Sequence, residues 1–223
     1  RQAITLVFAD STQGWLPVAE NDSSFQQAEF VAATGGNTVA TCGNFKIHTF
    51  TGPGTFCVSA AGNAVGSNTV SYLVIAGGGG GGSSTSGGGG GAGGYRESRA
   101  ASDDYVASPL NAACGPGYNL PVSVQGYSIS VGGGGAGGTN PPGTAGTPGV
   151  NSTFSTITSA GGGGGANSGN VAIAGGSGGG GGFRPPSPVS QGAAGNTPST
   201  TPPQGNNGGS AHPSTSNPDR AGG

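Results

Sequence analysis

Five uninterrupted glycine runs, at residues 77–82, 87–91, 132–135, 161–165 and 178–182, constrain this chain more than any other feature. Glycine loses more backbone freedom on ordering than any other residue, and it has no side chain to bury. Two outcomes are open to such runs. They can remain flexible coil, as in Gly/Ser-rich linkers. They can also adopt the extended left-handed polyproline II form, with three residues per turn and about 3.1 Å rise, which makes no hydrogen bonds to itself. Buried donors and acceptors must then find partners on neighbouring segments. Side-by-side rods satisfy one another laterally, and only glycine lets their backbones come close enough, as at the collagen axis. The runs are short, similar in length, purer in glycine than linkers and flanked by strand-like segments, which favours packed rods. Six residues give a rod of about 19 Å, near the roughly 17–20 Å of a common strand.

The remaining composition fits a chain with little conventional core. Of 223 residues, 53 are Gly and 16 are Pro, whereas Leu, Ile, Val and Phe together number 34, below the roughly 20% of a typical globular domain. Residues 1–76 hold 20 of those 34 and only eight glycines; residues 77–223 hold the other 45 glycines. The change at Ala76 predicts a mainly β protein without significant α-helix. A small antiparallel β domain over 1–76 precedes a glycine-rich domain over 77–223 made of short strands and packed polyglycine II helices. Strands are expected at 5–9, 25–32, 44–50, 55–60 and 70–75, where β-branched and aromatic residues gather. Thr51-Gly52-Pro53-Gly54 predicts a tight turn closing a hairpin. Two further strand-like pieces, 122–131 and 154–159, each stand just before a glycine run. Trp15, the single tryptophan, is expected in the small β core, with an exposed sugar-stacking role as the other reading.

Charge and cysteine usage exclude several classes. Six basic and eight acidic residues give a net charge of −2, and a nucleic-acid partner needs clustered Lys and Arg to neutralise phosphates. No apolar run reaches the roughly 20 residues of a bilayer span, so no membrane insertion is expected. The first residues alternate like a strand instead of forming a signal-peptide core; with no Met present, the sequence is expected to be a piece of a longer protein. Cys42, Cys57 and Cys114 offer no C-x-x-C pair for zinc. Cys42 and Cys57 are disulfide candidates; buried thiols are the alternative.

The ordered series of motifs resembles a known family. Phe45-Lys46-Ile47-His48-Thr49-Phe50-Thr51-Gly52-Pro53-Gly54-Thr55-Phe56-Cys57-Val58-Ser59 is followed by Val70-Ser71-Tyr72-Leu73-Val74-Ile75 and the first glycine run. Gly91-Ala92-Gly93-Gly94-Tyr95-Arg96, Tyr127-Ser128-Ile129-Ser130-Val131-Gly132 and the stretch from Asn151 to the run at 161–165 continue it in order. The series resembles the glycine-rich domain at the C-terminal end of many bacteriophage tail fibre and adhesin proteins. The segment from Ile4 to Leu16 is similar to the end of the β head unit that precedes that domain. The resemblance implies a receptor-binding fibre end in which loops between glycine motifs carry specificity. The corresponding segments here are 94–120, 139–150 and 183–207. The insertion at 95–118 and the Pro/Ser/Thr/Asn-rich tail depart from the simplest pattern of the family.

The insertion concentrates the candidate recognition chemistry. Tyr95, Arg96, Asp103, Asp104, Tyr105 and Tyr118 combine aromatic and charged groups of the kind that anchor interfaces, and Phe183 with Arg184 opens the third loop in similar style, where a packed Phe beside a spare Arg is the favoured reading. A sugar could stack on Tyr while carboxylates and Arg hydrogen-bond its hydroxyls; a solvated, locally paired loop is the bland reading. Asp103 and Asp104, being adjacent, lack the opposed carboxylates of a glycosidase and the ligand series of a calcium loop. His48 and His212 accompany no nucleophile motif, and no Gly-Lys-Ser/Thr follows any glycine run. The expectation is a non-enzymatic protein without cofactor or metal, binding a host cell-surface glycan or protein from a virion tail appendage and associating with copies of itself as a homotrimer. The alternative is a self-assembling extracellular filament or surface-matrix subunit, with protomers joined by strand addition.

Overall fold

The computed structural model describes residues 6–11, 14–17, 27–83, 86–100, 103, 105–110, 119–168, 171–183 and 190–211. Among these it contains short β-strands and extended glycine-rich segments and no helix, so the fold is mainly β, as composition predicts. The strands are β1 (Leu6–Asp10), β2 (Gly14–Pro17), β3 (Val31–Thr34), β4 (Thr38–Cys42), β5 (Phe45–Thr49), β6 (Gly54–Ala61), β7 (Thr69–Val70), β8 (Tyr72–Ile75), β9 (Tyr95–Ser98), β10 (Leu120–Pro121), β11 (Gly126–Ser130), β12 (Ser152–Phe154) and β13 (Ile157–Ser159).

The central sheet is antiparallel, in the order β13-β12-β11-β6-β3. Strand β6 organises it because its side chains alternate: Phe56 and Val58 face inward, Thr55, Cys57 and Ser59 outward, the two-residue period of a half-buried strand. A small core of Ala33, Phe56, Val58, Val74, Val122, Tyr127 and Phe154 packs on that inner face. Its rings meet edge-on, Phe56 with Phe154 at 5.8 Å and Tyr127 with Phe154 at 6.3 Å between centroids, the geometry favoured by ring quadrupoles.

Several details differ from the sequence-based expectation. The sheet takes β3 and β6 from before Ala76 and β11, β12 and β13 from after it, so the compositional boundary marks a change of backbone architecture and does not divide the sheet. Thr51–Gly54 joins β5 to β6 without pairing them. β5 pairs instead with β4, an additional strand, through the register Thr38↔Thr49 to Cys42↔Phe45. The 154–159 stretch is no single strand: β12 and β13 form a hairpin turned at Ser155, whose φ is 54°. The role expected for Trp15 in the core lies outside the described side chains.

Beyond the sheet the glycine segments form eight described rods: rod 1 (76–83), rod 2 (86–94), rod 3 (132–138), rod 4 (144–150), rod 5 (160–167), rod 6 (177–183), rod 7 (190–196) and rod 8 (205–211). Their hydrogen bonds repeat every third residue. Ala76, Gly79 and Gly82 donate to Gly94, Gly91 and Gly88 of rod 2, while Gly77, Gly80 and Ser83 donate to Val150, Thr147 and Thr144 of rod 4. Gly162 and Gly165 of rod 5 donate to Gly77 and Gly80, and Gly135 and Gly138 of rod 3 to Gly78 and Gly81. The bonds to each neighbour thus recur at every third residue, as a backbone with three residues per turn requires. Donor–acceptor distances along these ladders are 2.8–3.1 Å, within the normal range for N–H···O bonds.

Burial sets the glycine content of each rod. Rod 5 bonds to rods 1, 2, 4 and 6 and is buried from Ala160 to Ala166. A Cβ on any of its five glycines would fall within 3.0 Å of a neighbouring backbone atom. Rod 4 lies farther out and reads Thr144-Ala-Gly146-Thr-Pro-Gly149-Val150, and its two glycines, three residues apart, are the positions where a Cβ would fall within 3.0 Å of the rod 1 backbone. The same triplet logic holds at the collagen axis.

Candidate recognition surface

Rod 1 leads out of β8, and rod 2 returns directly into β9, so the two strands pair antiparallel at the sheet-side end of the bundle, from Tyr72↔Ser98 to Ile75↔Tyr95. Directly opposed residues share a face. One face of this ribbon carries Tyr72, Val74, Arg96 and Ser98, with Val74 in the core and Arg96 Nη1 donating to the Thr158 carbonyl at 3.4 Å. The other face carries Leu73, Ile75, Tyr95 and Glu97.

Glu97 is the hub of that second face. It is buried, and its Oε2 accepts the Ser108 N–H at 3.1 Å. The phenols of Tyr95 and Tyr105 also hydrogen-bond to its carboxylate. Burial of the hydroxyl end of Tyr105, reinforced by the Glu97 hydrogen bond and charge, pushes its pKa up to about 12. Tyr95 is raised for the same reasons, burial first and then Glu97. Tyr72 is raised by burial against the opposing pull of Arg96 and of a hydrogen bond with Ser98.

The following segment folds over this hub by spending its own charges. Asp103 Oδ2 accepts from Ser71 Oγ at 2.7 Å and from the Ala100 N–H at 2.8 Å. Arg99 Nη1 donates to the carbonyls of Asp103 at 2.6 Å and Tyr105 at 2.7 Å, and its guanidinium carbon stands 5.5 Å from the centre of the Tyr105 ring. A second segment borders the hub. The Tyr95 N–H donates to the Gln204 carbonyl at 2.8 Å. Gln204 is almost fully buried, accepting the Ala160 N–H and donating to the Pro198 carbonyl, both at 2.8 Å. Asn196 Oδ1 accepts from Thr200 and from the Gln204 N–H, which closes residues 196–204 into a fastened loop.

The structure therefore brings Tyr95, Asp103 and Tyr105 together, places Arg96 on the opposite face of the same ribbon, and separates Phe183 from them. Phe183 ends rod 6, its N–H bonded to the Ser86 carbonyl at 3.0 Å, and is only 6% exposed. It is packed in the structure and not displayed. Asp104, Tyr118, Arg184, Cys114 and His212 lie outside the described residues. Of the three expected loops, 139–150 is mostly rod 4 and 183–207 includes rod 7 and the start of rod 8. Neither reading of Cys42 and Cys57 holds: they form no disulfide and their thiols are not buried, both residues being free and exposed. Cys42 sits at the tip of the β4–β5 hairpin, four residues and so about 14 Å along the strand from its base, whereas Cys57 faces outward from the central sheet between Thr34 and Gly126. His48 is structural, its Nδ1 2.7 Å from the Gly35 carbonyl and its ring edge-on to Phe56.

Sequence reasoning passed over Ser71, Ser108 and Gln204. Their roles depend on segments distant in sequence, and only the strand–run–strand order around rods 1 and 2 hints that Ser71 and Asp103 meet.

Fold and surface together define a class: a mainly β protein extended by laterally bonded polyglycine rods, with an aromatic and polar ledge where the rods enter the strands. The family model described as "Glycine-rich domain" matches residues 51–223, and the chain belongs to that family. The match begins just before β6, so it takes in four strands of the central sheet together with the rods. No curated protein and no solved structure matches the chain.

Proposed function

We propose that this chain is a non-enzymatic structural and receptor-binding portion of a bacteriophage tail fibre, in which the rod bundle is a stiff mount for contact loops that attach to a host surface. The observation that supports this reading most is the fastening of the 99–110 and 196–204 segments to buried anchors, Glu97 and Gln204, where the rods enter the sheet. Loops held in advance lose little freedom on binding, and preorganisation of that kind is what raises affinity. The partner is a host cell-surface glycan or protein, and the chain acts in several copies on a virion appendage. The test is adsorption of particles whose fibre lacks residues 99–119. Loss of adsorption with normal assembly supports the reading; unchanged adsorption contradicts it.

A second reading, an extracellular filament subunit, is favoured by the β4–β5 ribbon. One of its faces carries Ala40, Cys42, Phe45 and Ile47, all exposed, and a lone two-stranded ribbon is marginal without cover. Electron microscopy of the source particle separates the two readings by locating the chain at an appendage tip or along a helical polymer.

A further inference from the structure

We infer that the ledge made by Tyr95, Tyr105 and the 196–204 loop is a binding site for an uncharged sugar, a neutral pyranose laid on the exposed part of the Tyr105 ring. The inference rests on the receptor-binding reading above and narrows it to a ligand class. A sugar site needs a flat apolar platform and a rim of hydrogen-bonding groups. Tyr105 is 47% exposed even though its hydroxyl is tied to Glu97 and the Arg99 guanidinium stands over its ring, so the ring is held in place while nearly half of the residue stays accessible. Leu73 and Ile75, both more than half exposed, extend the apolar strip along the same ribbon face. The rim comes from the fastened loop, where Ser199 and Thr201 are exposed beside the Gln204 anchor that holds the Tyr95 backbone.

Charge decides the kind of sugar. Every charged side chain described on this face is engaged within the chain: Glu97 with two phenols and an amide, Asp103 with a hydroxyl and an amide, and Arg99 with two carbonyls and a ring. Arg96 lies on the other face of the ribbon, toward Thr158. An acidic sugar would have to draw the Arg99 guanidinium from its bonds to the part-buried Asp103 carbonyl and the Tyr105 carbonyl, and it would bring its own negative charge beside the Glu97 and Asp103 carboxylates. A neutral ring asks for none of them.

The test is saturation-transfer NMR on the full chain with methyl glucoside, galactoside and mannoside as neutral probes, and methyl glucuronide and N-acetylneuraminic acid as acidic ones. The expected result is transfer to ring C–H protons of a neutral probe, unchanged from about 50 to 500 mM salt, and at least tenfold weaker binding in Tyr105→Ala. Tyr105→Phe, which keeps the ring, retains binding. Binding of acidic probes alone, binding of no probe, or binding indifferent to Tyr105→Ala overturns the inference. Labelling of a panel of bacterial cells by the fluorescent chain separates the two levels of the argument. Labelling that survives periodate oxidation of surface glycans but not protease leaves receptor binding standing and removes the sugar. Labelling of no strain removes the receptor-binding reading itself.

Discussion

Glycine does opposite jobs in the two regions of this molecule. In the β-rich part, Gly35, Gly36, Gly43 and Gly62 adopt positive φ values of 56° to 106°, so they are present because the backbone turns where a side chain would strain it. Among the described residues no rod glycine has a positive φ. There the conformation would suit any residue, and glycine is needed because another backbone occupies the place of the Cβ. The sheet is held by a small apolar core and side-chain alternation, the rods by backbone amides bonded across to as many as four neighbours. A residue type, read alone, therefore says nothing about what it supports; its spacing relative to neighbouring chains does.

The contrast can be broken most sharply at the centre of the bundle. Gly163→Ala directs a methyl onto the Ile173 carbonyl, with the Gly179 amide also within 3.0 Å, and no flexible side chain can yield. It should destabilise by more than about 4–5 kcal/mol, the range of exceptional single substitutions, seen as loss of the folding transition in thermal melts. A rod that tolerates it is not packed as described. Phe56→Ala tests the other region: removing a buried ring that touches His48 and Phe154 should cost about 3–5 kcal/mol, read by denaturant unfolding. A paired change sharpens the rule within a single rod. Gly135→Ala, blocked by the Thr147 carbonyl, should destabilise strongly, whereas Gly133→Ala, with nothing within 4 Å of its Cβ, should stabilise by about 0.4–1 kcal/mol by restricting the unfolded chain. Equal effects at the two positions would refute the triplet rule.

The smallest effect concerns the ledge. Because the folded chain raises the Tyr105 pKa to about 12 from an ordinary value near 10, the neutral phenol is the form that folding favours. Its contribution is whole below about pH 10 and is lost as pH rises toward about 12. Ultraviolet titration should show Tyr105 ionising late, with Tyr72 and Tyr95 also above the ordinary phenol range, and Glu97→Gln should bring the ionisation of Tyr105 and Tyr95 earlier.

Much of this architecture is legible in the sequence. Short, pure glycine runs flanked by strand-like segments favour packed rods over flexible coil, and lateral bonding then satisfies the buried amides. The β6 strand and its inward residues follow from alternation. The Gly-X-Y segment at 143–149 is not read as a rod because Thr and Pro at the outward positions look like loop composition; outer rods need glycine on one face only. Phe183 reads in the sequence either as a contact residue or as a packed aromatic; it is packed, through rod 6 lying against rod 2. The ledge is half legible: the insertion announces Tyr95, Asp103 and Tyr105, but Gln204 and Ser71 join it through contacts that no local pattern encodes.

The central claim is that the glycine segments are ordered by lateral backbone hydrogen bonds with a three-residue period. Amide hydrogen exchange resolved along the rods tests it directly. The account predicts strong protection at Gly77, Gly80, Gly162 and Gly165, whose N–H groups are bonded to neighbouring rods, and rapid exchange at exposed Gly134, for which no backbone acceptor is found among the described residues. Exchange at the rate of an unfolded peptide throughout these runs would contradict it.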